Sequence, residues 1–487
     1  MSDSNPMEQG GSGPQVNWDA AAREMNTTPT LQVVVNPKLR RGSPIHDRAF
    51  EELRRLSADY VRFVPWFPYP RDAIAELYPP ADGKTYWDFA SIDPFVVDFL
   101  EATKGHPVML NFSTIPPWMF KAERLVPYPQ NPDEPIWNYQ LGTELRDPTL
   151  KELGDYFARL VSWYTRGGFE DEYGQYHASG HHYRIDYWEV LNEPDFEHGT
   201  TPAQYAERYD AIVSAIRRVA PDMKFVGLSL AMPGRSPQFF EYFLDPRNHK
   251  PGIPLDLISY HFYATAAPDE TLDIEQHTYF AQADGFLNTV RYIESIRQRL
   301  APNTRTTINE IGAIRADDML QFIPGHVAAE IPPAYWNLAG ATYAYLFAHF
   351  AAMGIDIAGE SQLVGYPSQF PSVTMVDWNT GAPNARYRAL ELLIKHFKPG
   401  DQVVSTGMGL FPPSYSYAQA FRTRDGKRKL LLVSKRMEDR NMTLSGFAGA
   451  TVEVVDQKTA GAAARVEQLS GDKYNLPGFA VAVLTLP

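Results

Sequence analysis

From residue 31 to about 398, short runs rich in branched and aromatic residues alternate with longer stretches whose apolar positions recur every three or four residues. The runs LQVVVNP (31–37), YVRFVPW (60–66), PVMLNFS (107–113), IDYWEVLN (185–192), MKFVGLSL (223–230), DLISYHFYA (256–264), TTINEIG (306–312) and GIDIAGESQL (354–363) predict eight strands. Between them, stretches such as AFEELRRLS (49–57), IDPFVVDFLEATKG (92–105) and DPTLKELGDYFARLVSWYTRG (147–167) carry helical spacing. TPAQYAERYDAIVSAIRRVAPD (201–222) adds a Thr cap with Pro at the first helical position. Eight strand–helix units predict an α/β fold, a (β/α)8 TIM barrel. The competing architecture is an open doubly wound sheet, but no G-x-G-x-x-G or P-loop follows any of these strands.

Beyond about residue 400 the helical spacing stops. YAQAFRT, KLLLVSKRM, TVEVVD and FAVAVLTLP read as strands joined by Gly- and Asp-containing connections, an all-β, sandwich-like module. The expected organisation is a barrel over 29–399 and an accessory β domain over 400–487, whose bland role is to support the barrel. Residues 1–28, small, polar and Gly-rich, read as a disordered tail without the charged start and apolar core of a secretory signal.

Composition narrows the function classes. A net charge of -13, from 45 Lys+Arg against 58 Asp+Glu, disfavours nucleic acid as the main partner, because phosphate binding needs a basic footprint. No apolar run is long enough to cross a bilayer, so no membrane partner is expected. With no cysteine, disulfides, thiolate catalysis and cysteine-ligated metals are all excluded, while the compartment and self-association stay open. The 27 Tyr, 27 Phe and 9 Trp mostly fill a core, but several cluster near strand ends, in VPWFPYP (64–70) and PPWMF (116–120), where sugar rings could stack.

In such a barrel the chemistry gathers at the C-terminal strand ends. Strand two offers Arg62 and Trp66 there, strand three Asn111 with Trp118 just beyond, and strand four Asn192 and Glu193. Strand six offers His261 and Tyr263, strand seven Asn309 and Glu310, and strand eight Glu360. A single Glu at a strand end is ordinarily a solvated terminus or a salt-bridge partner. Two of them, each preceded by Asn and set three strands apart, face one another across the barrel mouth. Glycosidic cleavage needs such a pair: one carboxylic acid protonates the leaving oxygen, and a second carboxylate stabilises or attacks the anomeric carbon.

IDYWEVLNEPD, ISYHFY and TINEIG together resemble the retaining glycoside hydrolases of clan A, and within that clan family 39, which includes β-xylosidases and α-L-iduronidases. YVRF and the segment 86–119 add to the resemblance, which covers roughly residues 30–400. It implies Glu193 as general acid/base, Glu310 as nucleophile, no cofactor, and an oligosaccharide or glycoside cleaved by exo action. An acid in that role needs a raised pKa, and a nucleophile an ionised state that a cation such as Arg62 favours. Tyr263 is expected to hydrogen-bond Glu310, Asn192 a sugar 2-hydroxyl, and His261 to orient the acid or bind sugar. No metal is expected, since a lone strand histidine has no metal geometry. The rival readings are a non-catalytic carbohydrate-binding barrel and a metal-dependent hydrolase. A uronate substrate would need a pocket cation, for which Lys121, Arg124 and Arg315 are candidates in the insertions 121–147 and 315–333.

Overall fold

The computed structural model describes residues 13–121, 127–137, 144–323, 325–407 and 415–487. All eight expected strands form: Thr28–Val34, Val61–Val64, Val108–Leu110, Tyr187–Glu189, Lys224–Leu230, Leu257–Thr265, Arg305–Ile314 and Ile357–Glu360. They pair in parallel with their sequence neighbours, and the eighth closes on the first, giving a closed barrel. Helices follow most strands on the outside. The one at Pro202–Val219 begins with the expected cap, Thr201 and Gln204 bonding reciprocally as a capping box ahead of Pro202.

Strand alternation sorts the barrel into layers, because every second side chain points inward. Met109, Tyr187, Val226, Leu257 and Ile357 form a small apolar cluster inside, separate from the large core between strands and helices. Two residues further along strands four and six come Glu189 and Ser259, which begin a polar layer above it. The intervening Trp188 faces outward and stacks on Phe112 at 5.6 Å.

Six C-terminal strands and one N-terminal strand build a seven-stranded antiparallel sheet, with a two-stranded pair, Arg440–Thr443 and Lys473–Leu476, beside it. Leu430, Leu432, Val452 and Leu484 join the sandwich's own core. The alternate positions Leu431, Val433 and Val483 belong to the barrel's core, so the sheet is buried on both faces.

The N-terminal stretch departs from expectation. Gln15–Glu24, inside the segment read as a tail, is a strand at the edge of this sheet, paired antiparallel with Gln402–Gly407. Its alternation is the reason: Val16 and Trp18 pack on the sandwich core, and Trp18 also lies beneath Arg428. Thr28 already belongs to the first barrel strand. Residues 1–12 lie outside the described residues.

Candidate active site

Arg62 is the hub. It rises from strand two into the polar layer, fully buried, and an isolated guanidinium there would cost several kcal/mol without partners. It has five. Its Nε donates to Glu189 Oε2 at 2.5 Å, Nη1 to Glu310 Oε1 at 2.5 Å and Gln32 Oε1 at 2.6 Å, and Nη2 to Asn192 Oδ1 at 2.6 Å and Ser229 Oγ at 3.1 Å. Glu189 is saturated in turn: Asn111 Nδ2 donates to it at 2.5 Å, Ser259 Oγ at 2.5 Å and Asn309 Nδ2 at 2.7 Å. This web ties strands one to seven together beneath the pocket floor.

Two irregularities deliver the glutamates above it. In strand seven the pairing slips between Ile308 and Glu310. Such a bulge lets adjacent residues share one face, so Asn309 reaches down to Glu189 while Glu310 meets Arg62. After strand four the chain turns through left-handed conformations at Leu191 (φ 62) and Glu193 (φ 43), costly positions for residues with a Cβ. Hydrogen bonds hold the turn. Asn111 Nδ2 donates to the Leu191 carbonyl at 3.0 Å and Glu193 N–H to the Ser229 carbonyl at 2.9 Å. The N–H groups of Phe196 and Glu197 both donate to the Glu193 carbonyl.

Ser259, His261 and Tyr263 occupy alternate positions of strand six and so share its inner face. His261 Nδ1 is 2.9 Å from Glu193 Oε1, while Nε2 is 3.5 Å from Glu310 Oε1 and 3.0 Å from Ser229 Oγ. Tyr263 donates to Glu310 Oε2 at 2.7 Å. One ligand-type atom from each of Glu193, His261 and Glu310 lies within 4.8 Å of the others. A cation would have to displace hydrogen bonds already made: Arg62 lies against Glu310, and the two ring nitrogens face different carboxylates.

The glutamates are pushed in opposite directions. Burial, helped by the nearby Glu310 and Asp195 charges, raises Glu193 above the ordinary carboxylate range despite the opposing pull of His261. Burial would raise Glu310 too, but His261, Arg62 and the Tyr263 hydroxyl outweigh it and hold Glu310 below that range. His261 is raised: burial opposes its charge, and the two carboxylates more than compensate.

Comparison with known proteins agrees with the architecture. Over 98% of this chain and 100% of the other, the structure is similar to the GH51 arabinofuranosidase from Xanthomonas axonopodis pv. citri, with a TM-score of 0.64 and 12% identity. A glucosidase from Croceicoccus marinus aligns with a TM-score of 0.61 at 16% identity, covering 98% of each chain. A GH30 endoxylanase from Clostridium papyrosolvens C71 gives 0.58 at 14%, covering 97% of this chain and 99% of its own. At these identities the likeness is one of fold: a barrel with an attached β-sandwich. By sequence, residues 413–484 match the family model for the D-apionate lactonase C-terminal immunoglobulin-like domain. No curated protein sequence matches the chain.

Of the residues singled out from sequence, Arg62, Asn192, Glu193, His261, Tyr263 and Glu310 converge in the pocket. Trp66 joins them at its edge, donating from Nε1 to Glu197 Oε1 at 2.6 Å. Asn111 and Asn309 lie below, on Glu189. Trp118 is not brought to the carboxylates: it is buried, donates to the Glu76 carbonyl at 2.9 Å, and lies beneath Arg146. Glu360 points outward, as alternation from the inward Ile357 requires, and pairs with buried Arg386 at 2.9 Å. Lys121 pairs with Glu144, and Arg315 with Glu275; Arg124 lies outside the described residues.

Sequence reasoning passed over Glu189 and Glu197. An arginine in the middle of an apolar strand demands an internal carboxylate, and alternation from Tyr187 puts Glu189 on the inner face. That signal was available. Glu197 stands in a loop, where no periodicity marks it.

Proposed function

We propose that this chain is a retaining glycoside hydrolase with Glu193 as acid/base and Glu310 as nucleophile. The observation that carries the reading is an opposed carboxyl pair, oxygens within 4.8 Å, with opposite pKa displacements. Retaining enzymes hold their carboxyls about 5–5.5 Å apart, whereas inverting ones leave roughly 6.5–9.5 Å for a water. The glucosidase, arabinofuranosidase and xylanase structures with the same architecture support the reaction class.

In the first step the Glu193 carboxyl proton passes to the glycosidic oxygen as that bond to the anomeric carbon breaks. Glu310 attacks the same carbon from the opposite face, forming a glycosyl ester. In the second step Glu193, now a carboxylate, takes a proton from water, whose oxygen displaces Glu310 and restores both groups. His261 holds Glu193 in place, and Arg62 with Tyr263 keeps Glu310 ionised between turnovers. The family 39 resemblance supports exo action on a β-xyloside, β-glucoside or β-galactoside. The barrel over 29–399 carries the reaction, and the sheet packed on it supports the barrel.

A second reading is favoured by the lactonase-associated domain matched at residues 413–484: the same carboxylates could activate water against a sugar lactone. A panel of nitrophenyl glycosides and aldonolactones, with products followed by NMR, separates the two. The glycosidase reading expects release of a reducing sugar whose first-formed anomer matches the substrate. Turnover of lactones alone would replace it with the second reading.

A further inference from the structure

Beside the opposed pair stands a third carboxyl, Glu197, that the two-carboxylate scheme does not use. Its Oε1 accepts from Trp66 Nε1 at 2.6 Å and from Asn192 Nδ2 at 2.9 Å. The Glu197 N–H is tied to the Glu193 carbonyl at 2.7 Å, so its position is locked to that of the acid/base. Glu197 Oε2 makes no hydrogen bond to the described residues. Asn192 is similarly half-used: its Oδ1 is filled by Arg62 and Ser229, while its amide nitrogen, with two hydrogens, bonds Glu197 alone among the described residues. One carboxyl oxygen and one amide N–H therefore remain open here among the described residues. A hydroxyl, which both donates and accepts, complements that pair.

The charges around it point the same way. Among the described residues, Arg62 and His261 are the cationic groups bonded to the pocket carboxylates, and both are fully engaged. The loop cations Lys121 and Arg315 are paired with Glu144 and Glu275. Among the described residues no cation is left over for a sugar carboxylate, which would be buried beside the ionised Glu310, a costly arrangement. Glu197 itself is raised well above the ordinary range by burial and by the neighbouring Glu193 charge, in keeping with a crowded acidic site.

We propose that Glu197 is a substrate-contacting, specificity-determining residue: with Asn192 it engages the sugar 2-hydroxyl, and it makes the pocket selective for uncharged glycosides over uronides. The proposal rests on the glycosidase reading for the identity of that hydroxyl, but its test does not require turnover. Calorimetry on the full chain, wild type and Glu197→Gln, would compare gluco-, xylo-, galacto- and arabino-configured lactams, the 2-deoxy analogue of the best binder, and a glucurono-configured lactam bearing a carboxylate. Glu197→Gln keeps an oxygen for Trp66 and Asn192, which guards against a collapsed loop.

The wild type should bind the best neutral lactam at least ~30-fold more tightly than the uronic one. Glu197→Gln should weaken neutral binding about tenfold, while the 2-deoxy analogue should bind both proteins alike, the mark of a contact between that hydroxyl and this side chain. A 2-deoxy penalty unchanged by Glu197→Gln, a preference for the uronic lactam, or no binding by any lactam would overturn the proposal. Lactam binding with the expected coupling but no glycoside turnover would refute the hydrolase reading and leave the role of Glu197 standing. Turnover without coupling would do the reverse.

Discussion

Strands four and seven each deliver an Asn-Glu pair to the barrel mouth, yet the two glutamates live in different surroundings. Glu310 sits within a ten-residue strand, at a bulge, with a buried guanidinium, a phenol and an imidazole aimed at its oxygens. Glu193 lies past the end of a three-residue strand on left-handed backbone, with His261 bonded to its carboxyl. Their side-chain exposures are similar, 10% and 15%. Burial alone therefore does not separate them. The number of donors does, and with it the direction in which each acid is displaced. Identical residues gain opposite tasks from the strands beside them.

The largest effect should come from removing the charge that the seventh strand supplies. Glu310→Gln keeps the shape and should lower kcat/KM on an activated aryl glycoside by about 10⁴-fold or more, as expected when a nucleophile is lost. Near-normal turnover in that variant would end the assignment.

A finer cut removes one donor. In the wild type, activity should be bell-shaped in pH. The acid limb, where Glu310 takes up a proton, falls below the ordinary glutamate range because Glu310 is lowered. The alkaline limb, where Glu193 loses its proton, falls above that range because Glu193 is raised. Tyr263→Phe deletes a hydroxyl that favours the ionised form of Glu310, so the acid limb should move to higher pH with the alkaline limb fixed, and kcat should fall about tenfold. Displacement of the alkaline limb instead would mean that the two roles are exchanged.

The smallest effect on turnover should come from Glu360, another strand-end glutamate. It faces the helix layer and pairs with Arg386. Glu360→Gln should destabilise the fold by about 3–5 kcal/mol, since it leaves a buried guanidinium without its carboxylate. Thermal or denaturant unfolding would read that loss, with kcat changing only a few-fold.

Glu360 also marks where sequence reading stops. Apolar periodicity was enough for eight strands, their order and the closed barrel, because each signal is local and repeats. The Asn-Glu pairs were legible for the same reason, as chemistry placed at predicted strand ends. Which face a strand-end residue takes depends on register, and a bulge resets register by one residue. Asn309 and Glu310 both turn inward through such a slip, whereas Glu360 follows regular alternation outward. Gln15–Glu24 was hidden by its polar, Ala-rich composition: its apolar anchors are Val16 and Trp18, and the strand it pairs with lies almost 400 residues later. Trp118 fell to ordinary core packing.

The account's central claim is that Glu193 gives and takes the proton while Glu310 holds the sugar. Glu193→Ala removes the first role and leaves the second, so an activated aryl glycoside should still form the glycosyl ester but release it slowly. Adding sodium azide and determining the product by NMR tests this directly. The account predicts faster turnover and a glycosyl azide with the substrate's anomeric configuration. A glycosyl azide of inverted configuration, or no response to azide, would contradict it.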